Sequence, residues 1–144
     1  MRVPAFLVWM LASLPLVPRF AFAGPLDESA ALIYSDVCVH PESSDLLGDR
    51  VVLMRFPDGD YVYFQTAEGV FGPPQIVKAV VASNGTDIEF KVSDLDKAAA
   101  NFKGRLTEEA LIGSFDNGWQ NRVGSPVFRF LRVAERQPRF PRCE

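Results

Sequence analysis

The chain reads as an all-β protein: a small antiparallel up-and-down β-barrel, with a β-sandwich as the alternative. Three observations carry that reading. β-rich runs follow one another from Arg50 onward, turn-forming residues separate them every 8–12 residues, and almost no stretch has helical periodicity. A meander whose neighbours all pair in sequence closes most simply as a barrel in which the first and last strands meet.

Residues 24–49 are the least regular. Asp27 is placed to cap a short helix over Glu28–Tyr34, and Pro41, Ser43, Ser44 and Gly48 then read as loop. Seven strands follow within 50–135. Arg50–Phe56 and Tyr61–Thr66 flank Asp58-Gly59, a dipeptide suited to a type I′ turn. A two-residue loop there sets Met54 against Tyr63 and Leu53 against Phe64, and leaves both faces of the hairpin mostly apolar. A half-solvated hairpin should alternate cleanly, so this one is expected to be covered on both sides. The cover is either the N-terminal segment or a ligand or partner.

Gln75–Ala82 and Thr86–Val92 flank Asn84-Gly85, which sets Val81 against Ile88 and Ala79 against Phe90. Lys78, Asp87, Glu89 and Lys91 then share the other face, which must be the outside, where water screens like charges. Ser93–Asp96 resembles a capping box before one helical turn at Lys97–Ala100. Pairing Thr107 with Ala110 sets Leu106 against Leu111, Gly104 against Gly113 and Phe102 against Phe115. Paired glycines within strands imply a bend or the close approach of a large side chain. Val127–Val133 is the last strand, and the prolines of Pro138–Pro141 make residues 136–144 an extended tail.

Residues 1–23 have the form of an export leader. A positive start at Arg2 precedes an apolar run from Pro4 to Val17, and Ala21-Phe22-Ala23 is a cleavage signature. The run is shorter than the roughly 20 apolar residues of a membrane span. Cleavage after Ala23 would send the remainder to the periplasm or the exterior. Losing Arg2 and Arg19 leaves 13 basic against 18 acidic residues, a net charge of −5. So acidic a domain argues against nucleic-acid binding, which needs a basic surface. The sign is uneven: Arg122, Arg129, Arg132, Arg136, Arg139 and Arg142 crowd the C-terminal stretch. They read either as solvated strand and tail positions or as a surface for an anion or an acidic partner. Cys38 and Cys143, the only cysteines, would pair in an oxidising compartment and staple the chain. Neither follows the cleavage site, which excludes a lipid anchor there.

Phe102-Lys-Gly-Arg-Leu106, Leu111-Ile-Gly-Ser-Phe115 and Phe128-Arg-Phe-Leu-Arg132 together resemble the closing meander of small bacterial exported lipocalin-like (calycin-type) barrels. The resemblance covers about 30 residues and rests on glycine and apolar spacing. It lacks the N-terminal Gly-x-Trp of lipocalins, since Trp119 is the sole tryptophan after the leader. It implies the fold and carries over no ligand or site residue.

No constellation for catalysis stands out. His40 lies near Ser43 and Ser44, but no Gly-x-Ser-x-Gly elbow or orienting partner accompanies it. One histidine and two paired cysteines cannot build a soft-metal site. Asp58/Asp60 and Asp94/Asp96 have turn and cap duties that explain them better than calcium does. No enzyme, cofactor or metal is therefore expected. The aromatics Tyr61, Tyr63 and Trp119, with Arg122 beside the last, are the candidate binding surface, against core filling for the tyrosines and a barrel cap for Trp119. The expected function is a non-enzymatic exported binding module for a small apolar or amphipathic ligand, taken at the barrel's interior or mouth. The alternative is an interaction or inhibitor domain acting on a secreted or cell-wall enzyme through the Trp119 loop.

Overall fold

Apolar and polar residues alternate along most of the chain, so each strand offers one oily face, and the sheet curls until those faces meet. The computed structural model describes residues 31–93, 99–133 and 140–144. Nine strands run through them: β1 (Leu32–Ser35), β2 (Cys38–Val39), β3 (Leu46–Phe56), β4 (Gly59–Phe71), β5 (Gln75–Val81), β6 (Asp87–Val92), β7 (Ala100–Leu106), β8 (Ala110–Phe115) and β9 (Phe128–Arg132). No helix is present among the described residues. Each strand from β3 to β8 pairs antiparallel with the next, and β1 pairs with both β9 and β3. That closes an eight-stranded barrel, on which β2 is an extra strand along β3.

The expected irregular segment 24–49 is therefore strand in much of its described part, and the barrel begins before Arg50. The Glu28–Tyr34 helix is overturned where it is described: Leu32 and Tyr34 point inward, and Ile33 does not. A barrel needs a strand to satisfy the open edges of β3 and β9, and that tertiary demand overrides a weak local helix signal. The leader, the Asp27 cap, the Ser93–Asp96 box beyond Ser93 and residues 134–139 lie outside the described residues. Ala100, placed in a helical turn by its sequence, begins β7.

The first hairpin differs from expectation by two residues. Phe56 pairs with Gly59, so the turn is Pro57-Asp58, and Met54 faces Tyr61 while Val52 faces Tyr63. Proline's ring forbids the positive φ of a type I′ turn but favours the second position of a type I turn, with glycine two residues later. Gly59, at φ 141°, takes the strained conformation instead. A slip of two leaves every side chain on its expected face. The second hairpin keeps its register, Val81↔Ile88 and Ala79↔Phe90. Its loop is four residues, with only Gly85 at positive φ, while the Asn84 side chain accepts from the amides of Thr86 and Asp87. Lys78, Glu89 and Lys91 are exposed on the outside as expected. The third hairpin pairs Phe102↔Phe115, Gly104↔Gly113 and Leu106↔Leu111 as expected, its turn tied by the Thr107 hydroxyl to both backbone groups of Ala110.

The interior is packed with rings. Ala79, Phe90, Phe102 and Phe115 form one rung across four strands, with Phe90 and Phe102 stacked at 4.8 Å and Phe102 edge-on to Phe115 at 5.1 Å. Three phenyl rings abreast need room, and the paired glycines supply it. A Cβ on Gly104 or Gly113 would lie 2.5 Å from the Phe102 ring. Phe64, Phe128 and Phe130 complete the cluster.

Candidate functional site

The barrel interior is occupied by its own side chains, and among the described residues chemistry-bearing groups converge at two surface clefts. The first, of about 840 Å³, lies at one barrel mouth between the β3–β4 ribbon and the β8–β9 loop. Trp119 belongs to this loop, held by Asn117, whose carboxamide oxygen accepts from the Trp119 amide, and by Asn121, which bonds across to Ser125 and Val127. Its indole stacks on Phe64 at 6.4 Å and stands edge-on to Phe115 at 4.8 Å. The aromatic face is thus turned into the barrel end, where it caps the core.

Acidic groups gather at the same mouth. The β1–β2 segment follows one register along β3 but kinks at Asp36, where the carboxylate accepts the Asp49 amide at 2.6 Å. Gly48, at φ 116°, makes room: a Cβ there would lie 2.7 Å from that carboxylate. Burial, reinforced by the nearby Asp36 and Glu68 charges, pushes Asp49 up to about 7 despite a hydrogen bond from Thr66. Burial also raises Asp36, against the pull of the Asp49 amide and the Arg122 charge.

The second cleft, of about 800 Å³, lies on the outside of the barrel over β1, β3 and β9. Its floor is a row of apolar side chains set abreast by strand register: Ile33↔Val52↔Tyr63, extended beyond β9 by Val133, whose amide donates to the Ile33 carbonyl at 2.8 Å. Met54 and Leu131 flank the row. Ile33 keeps 38% and Leu131 53% of its surface in water, so the outer face has no complete cover among the described residues. The rim is basic: Arg50, Arg122, Arg129, Arg132 and Arg142, against Asp36 and Glu144. None of these arginines enters an ion pair among the described residues. The Arg50 guanidinium lies 4.5 Å above the Phe71 ring and 5.4 Å from that of Phe140.

The C-terminal tail bounds this cleft. Cys143 is bonded to Cys38, as the sequence implies. Val39 donates to the Pro141 carbonyl and accepts from the Cys143 amide, so the tail runs along β2 in parallel. Arg122 places Nη1 2.8 Å from Cys38 Sγ, and so joins the Trp119 loop to the staple.

The four sequence-level candidates are thus divided. Tyr63 and Arg122 share the outer cleft, Trp119 and Arg122 share the mouth, and Tyr61 packs edge-on against Phe56 at 5.9 Å. The Tyr63 hydroxyl donates to Gln65 at 3.0 Å. His40 is a loop residue whose ring Nδ1 meets the Ser43 amide and hydroxyl. Asp60 pairs with Arg55 at 3.2 Å, a hairpin role, and no group of three or more metal-ligating side chains occurs among the described residues. No described helix is long and apolar enough to cross a membrane. Sequence reasoning missed Arg50 and Phe140 as site residues and read Ile33 only as part of the segment that could cover the two-sided apolar hairpin. Closure by β1 instead places Ile33 beside Val52 in the same sheet. Comparison of the chain with protein-family models, curated proteins and solved structures finds no match.

Proposed function

We propose that the protein is an exported, non-enzymatic binding module that holds a small amphipathic ligand in the outer cleft. The interior is filled by the phenylalanine cluster and capped by Trp119, which favours a surface site over an internal one. One observation carries the reading: an apolar row spanning β1, β3 and β4 faces outward beneath a rim of arginines. The cleft has the volume typical of small-molecule sites, and an oily floor with a few polar groups at its edge is their usual build. Export is supported by the form of residues 1–23 and by the disulfide. The alternative, docking on a secreted enzyme through the Trp119 loop, has less support, because that ring is engaged with Phe64 and Phe115.

The test is uptake of the neutral dye N-phenyl-1-naphthylamine, with native mass spectrometry of the purified protein for a retained ligand. The wild type and Val80→Asp, an exposed site on β5 away from the cleft, should both enhance the dye's emission. Val52→Asp, placing a charge in the floor, should abolish uptake while its thermal melt stays cooperative. Absence of uptake by the wild type, or equal uptake by Val52→Asp, would overturn the proposal.

A further inference from the structure

Resting on the outer cleft as the binding site, we propose that its occupant is an anionic amphiphile, a carboxylate or phosphate head on an apolar chain, with the head held by Arg50 and the neighbouring rim arginines. The first ground is charge. The chain as a whole is acidic, at −3, yet five arginines converge on one cleft against two carboxyl groups. One of these, Asp36, already accepts a hydrogen bond from the Asp49 amide. Like charges that outnumber their counter-charges repel one another, and a bound anion lowers that cost.

The second ground is a specific orphan. Arg50 Nε is buried and has no hydrogen-bond acceptor among the described residues. A buried guanidinium N–H without an acceptor is costly, and a planar fork is the group that suits carboxylate and phosphate oxygens. Its position is built: Phe71 and Phe140 pack on each other at 5.8 Å, and the guanidinium lies over both rings. Beyond it, Val133, just past the end of β9, lies abreast of Ile33, Val52 and Tyr63 on β1, β3 and β4, an apolar track of about 14 Å at the usual strand spacing. A charged seat at one edge of an oily track matches a head group and its chain.

Isothermal titration calorimetry of the purified protein tests this with three probes sharing one twelve-carbon chain: dodecanoate, dodecyl phosphate and the uncharged monododecanoyl glycerol, each kept below its aggregation concentration. The anions should bind roughly tenfold or more tightly than the neutral probe, and their advantage should shrink as salt is raised. Arg50→Gln should weaken anion binding about tenfold and leave the neutral probe unchanged. Arg129→Gln, on an exposed position, provides a second variant that should act in the same direction should Arg50→Gln fail to fold. Whichever anion binds more tightly identifies the head group. Equal affinity for all three probes would overturn the anionic assignment while leaving the outer cleft intact as a site. No binding of any probe would overturn the cleft itself. Inorganic phosphate binding as tightly as dodecyl phosphate would show that the apolar track takes no part, and would also overturn the proposal.

Discussion

Asp49 shows how one side chain can record the whole fold. It pairs with Thr66 in the β3–β4 ladder, and the kink at Asp36 brings a second carboxylate to its amide. Partly shielded from water and close to two other carboxylates, its carboxyl is pushed up to about 7, whereas in an unfolded chain it ionises near 4. Between those values the unfolded state releases a proton that the folded state keeps. Stability therefore falls as pH rises through that window and levels off above about 7. Asp36, raised by burial, acts in the same direction. Asp87 and Asp116 are held low by hydrogen bonds from Asn84 and Asn101, so their contributions are present above the usual carboxylate range and lost in acid. Thermal melts should show the melting temperature declining between pH 4.5 and 8. Asp49→Asn, which keeps the shape and an acceptor for Thr66, should flatten that decline and be more stable than wild type at pH 8. An unchanged slope in the variant would count against the buried carboxyl as its source. Nothing in the sequence marks Asp49, one of many acids in an acidic stretch; its environment arises from strands distant in the chain.

At the scale of elements, legibility followed the strength of the local signal. The β7–β8 register was readable to the residue, because like residues face like at three positions and Gly104 meets Gly113. Those glycines admit the Phe102 ring, so alanine at either is expected to cost about 1–3 kcal/mol in urea unfolding. The two substitutions should be less than additive, since both press on the same ring. Phe102→Leu should recover part of the loss by relieving the crowding; no recovery would place the strain in the backbone contacts instead. The β3–β4 hairpin was less legible. Asp-Gly is a strong turn signal, but the proline before it claims the turn, which moves the pairing by two residues and preserves the faces. β1 and β2 were not legible at all. Four residues and two residues are too short to carry a period, and they become strands only because β3 and β9 offer edges to them.

For the whole molecule, closure is fastened at one place. The Cys38–Cys143 bond spans 105 residues and ties the tail along β2. Constraining so long a loop in the unfolded chain is worth about 4–5 kcal/mol in the chain-entropy model. Reduction should therefore lower the melting temperature by about 10–20 °C, and an unchanged melt would contradict the staple's role. Composition and alternation were enough to specify an all-β meander, its inward faces and the likeness of its two sulfurs to a staple, because these depend on local period and on residue chemistry alone. Tertiary structure decided the rest. Whether the barrel is hollow depends on how rings from Phe64, Phe90, Phe102 and Phe115 meet across it. Whether the arginines form a site depends on closure, which sets β9 and the tail beside Arg50 of β3. Both are consequences of contacts between residues far apart in the chain, and no local pattern encodes the distance between them.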